Sequence, residues 1–475
     1  MPPSLSPVSL NAFSPRCLWV RALLYGFLFG GSLLLAVPRS PYTGLLLLGI
    51  YLALFLGSAP RAYLVALGVG VTLYLLAGRR LAHALPDPVG FVSLLLPAAG
   101  VFLGGTLRRH FSPRLLTRVL LGALCLLFLI QGALSFPGSL TREPRAETYD
   151  YDPYFFLRVF YLEDAEHLSY YEAAGQAMID DARFETPHAN LAGWRTPVLT
   201  GLWSALFSSG GQIMVAFLLL SGAAMVGGYV LATRLSDRTT ALVVPAMFAQ
   251  YYLASLSTLH CLSYEVWAGF FALGAALLWY ARRDKAGLAC AFAAAAIREW
   301  FVSALIGGLA CHLRGRRFRE AALWGGALLL VLGIYALNLF LAWRYLEGAG
   351  VEATTGTAGR LGQGGPLFIL YTLQFNAAFW VHEYVFPYLV FFLGLLGSAA
   401  LIRRQEYFLP SLILVPLLFF LVTGSGHRPG DPYGMDVYYS GAFLPFLMIA
   451  ACVAGEVFRR RSAAPAVVTS RQTGG

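Results

Sequence analysis

A stretch of acidic and aromatic residues from about Glu143 to Pro197 holds the side chains best suited to chemistry. Eleven of the 24 acidic residues of the chain lie between positions 143 and 185. Asp164 stands where a helix with apolar residues at helical spacing, up to Met178, is expected to begin. A carboxylate at the start of a helix on a membrane surface can accept a proton from an incoming hydroxyl, or it can simply cap the helix. Glu166 is the second candidate for a base.

Other residues could complete such a site. Asp150 and Asp152 form a second possible acidic pair. In the run Trp194-Arg195-Thr196-Pro197, the proline suits the first turn of an amphipathic surface helix over 198–207. Arg195 could then meet a phosphate group of a lipid or of a substrate. The remaining polar candidates for substrate binding are Tyr170, Tyr171, Glu299 and an outward-facing polar set of Glu265, His382, His427 and Arg428.

The pair Arg298-Glu299 stands out because it lies between apolar segments. Residues 286–313 separate two basic clusters, which predicts a hairpin that leaves and returns on the same side of a membrane. Two halves of about 13 residues reach only about 20 Å, so the tip should lie below the far surface. Charges at that depth face a water-filled cavity or each other. Since Glu299 is adjacent in sequence, we expect it to point to another helix face and to be an imperfect partner for Arg298.

The elements that position these residues are predicted to be membrane helices. The chain of 475 residues is 58% hydrophobic and 12% charged, with a mean hydropathy of +0.66. Soluble domains carry about 25% charged residues. The fold class is therefore all-α: a polytopic helical membrane protein of about 14 transmembrane helices. An acidic insert cannot be solvated inside the bilayer, so it is predicted to be a long extracytoplasmic loop carrying amphipathic surface helices.

Arginine clusters at the ends of the apolar runs set the orientation. Apart from Arg79 and Arg80, which fall on the opposite side, they agree with one another if both termini are cytoplasmic and the acidic insert faces outward. Four units follow. Residues 1–114 form an N-terminal module of additional spans, and 115–211 hold a first catalytic-module span, the extracytoplasmic loop and its surface helix. Residues 212–458 form the transmembrane module that completes the site, and 459–475 form a polar cytoplasmic tail.

The sequence gives no sign of metal or cofactor chemistry. The six cysteines are scattered in or beside apolar segments, and the eight histidines lack ligand spacing. No glycine-rich nucleotide-binding motif is present. We therefore expect the protein to use no cofactor and no metal ion. The net charge of +10 comes from arginines at span ends, so it does not indicate nucleic-acid binding.

Over about residues 115–457 the chain resembles the GT-C superfamily of membrane glycosyltransferases. It is similar to bacterial members related to the dolichyl-phosphate-mannose protein mannosyltransferases and the aminoarabinose transferase. The resemblance lies in the loop acid followed by Tyr and Ala, in Arg195-Thr196-Pro197, in Ser263-Tyr264-Glu265 and in the Ala-rich run ending at Arg298-Glu299. These motifs follow one another in order, on the same predicted side of the membrane.

The resemblance implies a transferase that moves a sugar from a polyprenyl-phosphate donor to an acceptor hydroxyl, with inversion at the anomeric carbon. Asp164 or Glu166 would be the base, and Arg298 with Arg195 would hold the donor phosphate. Because Glu299 is expected to be an imperfect partner, this phosphate is predicted to be the counter-charge of Arg298. The implied partners are the lipid bilayer, the donor and an acceptor glycan, lipid or protein, in the cell inner membrane. The alternative is a polytopic transporter or flippase for a lipid-linked or amphipathic solute. A lipid-linked glycan polymerase or ligase is disfavoured, because its large outer loop normally comes late in the chain.

Overall fold

The protein is described here by a computed structural model. It covers residues 107, 110–134, 152–179, 186–187, 189–257, 260–354, 364–377, 385–423 and 441–454. In these ranges the regular structure is helical, apart from isolated bridge residues such as the pair Asn190 and Thr354. The helices are α1 Pro113–Leu134, α2 Asp152–Ala165, α3 Tyr170–Ile179, α4 Val198–Leu206, α5 Gly210–Leu235, α6 Arg238–Ala241, α7 Val243–Ser257, α8 Tyr264–Tyr280, α9 Asp284–Ile297, α10 Val302–Arg314, α11 Phe318–Gly348, α12 Pro366–Ala377, α13 Val385–Arg403, α14 Phe408–Val422 and α15 Leu444–Ala451.

The all-α class is confirmed, and the chain has the apolar helices of a membrane protein. Within the described ranges, three helices are long and apolar enough to cross a membrane: Arg114–Leu134, Gly210–Leu235 and Phe318–Gly348. Two shorter apolar helices are Tyr388–Arg403 and Phe408–Val422. The predicted number of about 14 crossings is not confirmed. The predicted N-terminal module and the tail fall almost wholly outside the described residues.

Helices α1 and α5 pack antiparallel to each other, and so do α5 and α7. Gly132 near the end of α1 faces Leu218 near the start of α5, and Gly222 faces Leu129. Farther along α5, Gly228 lies against Phe248 of α7. Contacts of Asp284 with Arg317, of Arg314 with Tyr407 and of Glu406 with Arg282 bring the arginine-rich turns after α8, α10 and α13 together at one end of the bundle, which we call the basic end. Helices α2, α3 and α4 lie at the opposite end, which we call the insert end.

Helices α9 and α10 form the predicted hairpin. At its base, Asp284 Oδ2 lies 4.0 Å from His312 Nε2 and 3.6 Å from Arg317 Nη1, so the first helix starts where the second ends. The two helices have 14 and 13 residues, which limits each to about 20 Å. Helix α9 ends at Ile297, Arg298 has an extended backbone, and the chain continues as a short 3₁₀ helix, Glu299–Phe301. The two-helix hairpin with Arg298 at its tip is therefore confirmed, whereas its return to the same side of a membrane stays a prediction.

Glycine allows the closest helix contact of the bundle, between α13 and α15. A Cβ on Gly397 would collide with the backbone oxygen of Ala450, which cannot move away as a flexible side chain could. Gly397→Ala is therefore expected to destabilise the protein by about 1–3 kcal/mol, the usual cost of overpacking. Gly326→Ala is the matched control, because Gly326 lies within α11 and has open space around it.

Thermal unfolding of the two variants in detergent would test this prediction. Gly326→Ala should be neutral or stabilise the helix by roughly 0.5–1 kcal/mol, since alanine is the better helix former. Equal melting temperatures for Gly397→Ala and Gly326→Ala would show that α13 and α15 are not packed this closely.

Candidate functional site

The segment before α4 is fixed to the hairpin tip by hydrogen bonds. The Thr196 hydroxyl donates to the backbone oxygen of Ala296 at 2.7 Å, and the Tyr264 hydroxyl donates to the backbone oxygen of Thr196 at 3.2 Å. Thr196 and Tyr264 are both almost fully buried. Helix α4 follows directly after Pro197, as the sequence predicted. These contacts hold Arg195 next to the hairpin tip.

The insert also contacts α11 through hydrogen bonds. Asn338 is central, because its Nδ2 donates to the backbone oxygen of Trp194 at 3.2 Å and its Oδ1 accepts from the Tyr171 hydroxyl at 2.9 Å. The Tyr170 hydroxyl donates to the backbone oxygen of Arg195 at 2.8 Å. Tyr170 and Tyr171 thus position the backbone around Arg195. The substrate contacts predicted for these two tyrosines stay a prediction.

Arg298 is buried and ion-paired at the hairpin tip. Its Nε lies 2.7 Å from Glu265 Oε1, and its Nη1 donates to Glu299 Oε1 at 2.6 Å. Its guanidinium stacks 3.8 Å above the centre of the Trp300 ring. The side chains of Arg298 and Glu265 are 1% and 6% exposed, whereas that of Glu299 is 38% exposed. Arg298 therefore joins α8 to the tip and turns Glu299 toward the accessible side.

Two expectations about this cluster were wrong. Glu299 is a direct partner of Arg298, because the backbone of Arg298 is extended, with φ −142° and ψ 121°, and the helix-face argument does not apply there. Glu265 is not part of an outward-facing polar set, since it lies buried against Arg298. The inference that Arg298 requires a substrate phosphate as its counter-charge consequently loses its basis.

Arg195 is a second cation of this site. It is half-buried and lies within electrostatic range of Glu299, Tyr264 and Tyr335. The Tyr335 hydroxyl donates to the backbone oxygen of Ala295 at 2.9 Å, which holds the hairpin tip against α11. A guanidinium in this position can form paired hydrogen bonds with a phosphate group.

Glu163 was missed by the sequence analysis. It lies in the last turns of α2, where burial raises the pKa of its carboxyl to about 7, although the neighbouring Thr200 hydroxyl lowers it in part. Its Oε2 is buried and has no hydrogen-bond partner in the part of the chain that the structure describes. The ring of Phe156, seven residues earlier, lies 4.6 Å from that of Tyr264. This helix face therefore points Glu163 toward the start of α8.

Asp164 and Glu166 occupy other positions than expected. Asp164 lies in the last turn of α2, and both side chains are exposed, so the prediction of a helix beginning at Asp164 is wrong. Helix α3 begins at Tyr170, just after the glutamate half of a capping box: the Ser169 amide and hydroxyl both donate to Glu172 Oε2, at 2.9 and 2.6 Å. Asp152 is the first residue of α2, so the helix-start argument applies to it instead.

Several candidates cannot be placed. Asp150, His382, His427 and Arg428 lie outside the described residues, as does the side chain of Asp152. Within the described ranges, no group of three or more His, Cys, Asp or Glu residues is arranged to hold a metal ion.

The acidic insert and the hairpin tip meet around Thr196 and Ala296, which we call the junction of insert and hairpin. This end of the bundle holds both a group that can exchange a proton and a cluster of positive charge. Glu163 has a pKa suited to taking up and releasing a proton near neutral pH. Arg195 and Arg298 bring positive charge to the accessible carboxylate of Glu299. Comparison with protein-family models, with curated proteins and with solved structures gives no match to this chain.

Proposed function

We propose that this protein is an integral membrane glycosyltransferase that moves a sugar from a polyprenyl-phosphate donor to an acceptor hydroxyl. The observation that carries the proposal is the junction of insert and hairpin, where a carboxyl with a raised pKa and an arginine lie at one end of a membrane bundle. Transfer from a lipid phosphate requires a proton acceptor for the attacking hydroxyl and a cation for the leaving phosphate. Both must lie at the level of the lipid headgroups.

In the proposed reaction, Glu163 takes the proton of the acceptor hydroxyl. The hydroxyl oxygen then attacks the anomeric carbon, and the bond from that carbon to the phosphate oxygen breaks. The polyprenyl phosphate leaves with the electron pair, and Arg195 stabilises its charge. Arg298 is a positioning residue in this scheme, since it is buried and holds Glu299. Asp164, Glu166 and Asp152 are the alternative bases.

The proposal includes an orientation. The basic end faces the cytoplasm, and the insert end with its site faces the extracytoplasmic side of the inner membrane. The arginine-rich turns at one end of the bundle support this orientation, because cytoplasmic loops carry an excess of arginine. Both termini are then cytoplasmic, and about 14 spans remain the expected number.

Purified protein in lipid nanodiscs, supplied with a radiolabelled polyprenyl-phosphate sugar, would test the function. We expect transfer of label to a water-soluble or lipid acceptor, with Arg195→Gln lowering kcat/KM by roughly 10² or more through loss of phosphate stabilisation. Arg344→Gln is the matched control, because Arg344 is an exposed arginine on α11 and is not part of the proposed site. Movement of intact donor across vesicle membranes, with no sugar bond broken, would support the transporter alternative instead.

A further inference from the structure

Three helix-to-helix turns at the basic end share one geometry. In each turn, a backbone amide donates to the backbone oxygen five residues earlier: Arg283 to Leu278 at 2.8 Å, Arg317 to His312 at 2.9 Å and Glu406 to Leu401 at 3.0 Å. This is the 6→1 hydrogen bond of the Schellman motif, which ends a helix with one residue in the left-handed region.

That left-handed position is usually glycine, but at the basic end it is not. The residues are Arg282 with φ 60°, Arg316 with φ 54° and Gln405 with φ 65°. The same motif after α11 has Gly350 with φ 71°, and there the amide of Val351 donates to Leu346 at 2.9 Å. Side chains in this region are strained relative to glycine. Two arginines are therefore kept where glycine would suit the backbone better.

Contacts between the turns join them into one surface. Asp284 after the first turn pairs with Arg317 after the second at 3.6 Å. The Arg314 guanidinium lies 5.2 Å from the centre of the Tyr407 ring, which belongs to the third turn. Glu406 of the third turn lies within electrostatic range of Arg282 in the first.

The joined surface is strongly positive. The turn segments 282–285, 314–320 and 403–406 hold nine basic and three acidic side chains, a formal net charge of +6, and all nine basic side chains are exposed. Guanidinium groups form paired hydrogen bonds with phosphate oxygens. The turns also lie at the ends of apolar helices, which is the depth of the lipid phosphates.

We propose that this surface, formed by the three turns of the basic end, binds the phosphate groups of anionic phospholipids. The position of Arg316 at a strained turn supports this role, because its side chain is retained at a cost to the backbone. A lipid headgroup is favoured over free phosphate because the turns end membrane helices. The proposal does not depend on the enzymatic function, since it concerns the opposite end of the bundle.

The test uses the full chain in neutral detergent, with phosphatidylglycerol added and the retained lipids counted by native mass spectrometry. Arg316→Gly should raise the melting temperature, because it relieves the left-handed strain, and should weaken phosphatidylglycerol binding about fivefold, the usual effect of one arginine near an anionic surface. Gln405→Gly is the matched control: it relieves the same kind of strain without removing charge, so it should raise the melting temperature and leave lipid binding unchanged. Arg316→Gln provides a second variant that removes the charge and keeps a side chain.

Three results would overturn the proposal. The first is unchanged phosphatidylglycerol retention in both Arg316 variants. The second is an equal loss of lipid in Gln405→Gly, which would assign the effect to turn shape and not to charge. The third is full displacement of the lipid by excess inorganic phosphate, which would identify a site for free anions. Retention of phosphatidylcholine, the neutral comparison lipid, should not respond to any of the variants.

Discussion

Arg298→Met is expected to destabilise the folded protein by about 3–5 kcal/mol, the typical cost of removing one member of a buried ion pair. The reason is that Glu265, whose side chain is 6% exposed, would lose the guanidinium that lies 2.7 Å from it. The stacking of Arg298 on Trp300 would be lost as well. Equilibrium unfolding in mixed micelles, followed by tryptophan fluorescence, would measure the change in the free energy of unfolding.

A double variant separates this explanation from a direct role in substrate binding. Arg298→Met combined with Glu265→Gln removes both charges, so much of the lost stability should return. Arg344→Met removes an exposed arginine and should change stability by no more than about 0.5 kcal/mol. If Arg298→Met instead unfolds like the unmodified protein but binds donor poorly, the arginine holds the donor phosphate and the ion pair is incidental.

The hairpin could be predicted from the sequence because its evidence is global. Basic clusters bound a mostly apolar segment of 28 residues, which is too short for two helices that each cross a membrane. The contacts of Asp284 with His312 and Arg317 agree with that arithmetic. The same reasoning correctly placed Arg298 at the tip, but it could not provide its partners. Glu265 lies 33 positions earlier in the chain, and only the packing of α8 on α9 brings it near.

The insert was harder to predict because its helices are short. The apolar spacing of such helices does not fix the residue at which each begins, which depends on local signals. The spacing of apolar residues after Asp164 is real, yet the helix that they form begins at Tyr170, after the Ser169–Glu172 capping box. The preceding helix begins at Asp152-Pro153, and proline in a first turn is a start signal that could have been recognised. Recognising α2 would have drawn attention to the face shared by Phe156, Phe160 and Glu163. The raised pKa of Glu163 depends on tertiary burial and could not have been predicted.

Glu163→Gln is expected to lower the transfer rate by roughly 10²–10⁴, the usual contribution of a general base. In the unmodified protein the rate should rise as the pH increases through about 7, because the deprotonated carboxylate is the active form. This dependence should disappear in the variant. Asp164→Asn is the matched control, since it changes the adjacent, exposed carboxylate and should retain activity within a few-fold of the unmodified protein.

The free energy of unfolding should fall as the pH rises through about 7, whereas the transfer rate should increase. Folding raises the pKa of Glu163 from 4.5 to about 7, so between these values the folded state binds more protons than the unfolded state. The free energy of unfolding should therefore fall as the pH rises through this window and show no further change from this group above it. Glutamine cannot ionise, so Glu163→Gln should lose this dependence and be more stable than the unmodified protein at pH values above about 7. A variant that is more stable and less active would show that the unmodified protein keeps a destabilising buried carboxylate for catalysis. Loss of activity in Asp164→Asn, with normal activity in Glu163→Gln, would return the base to Asp164 and make Glu163 a structural residue.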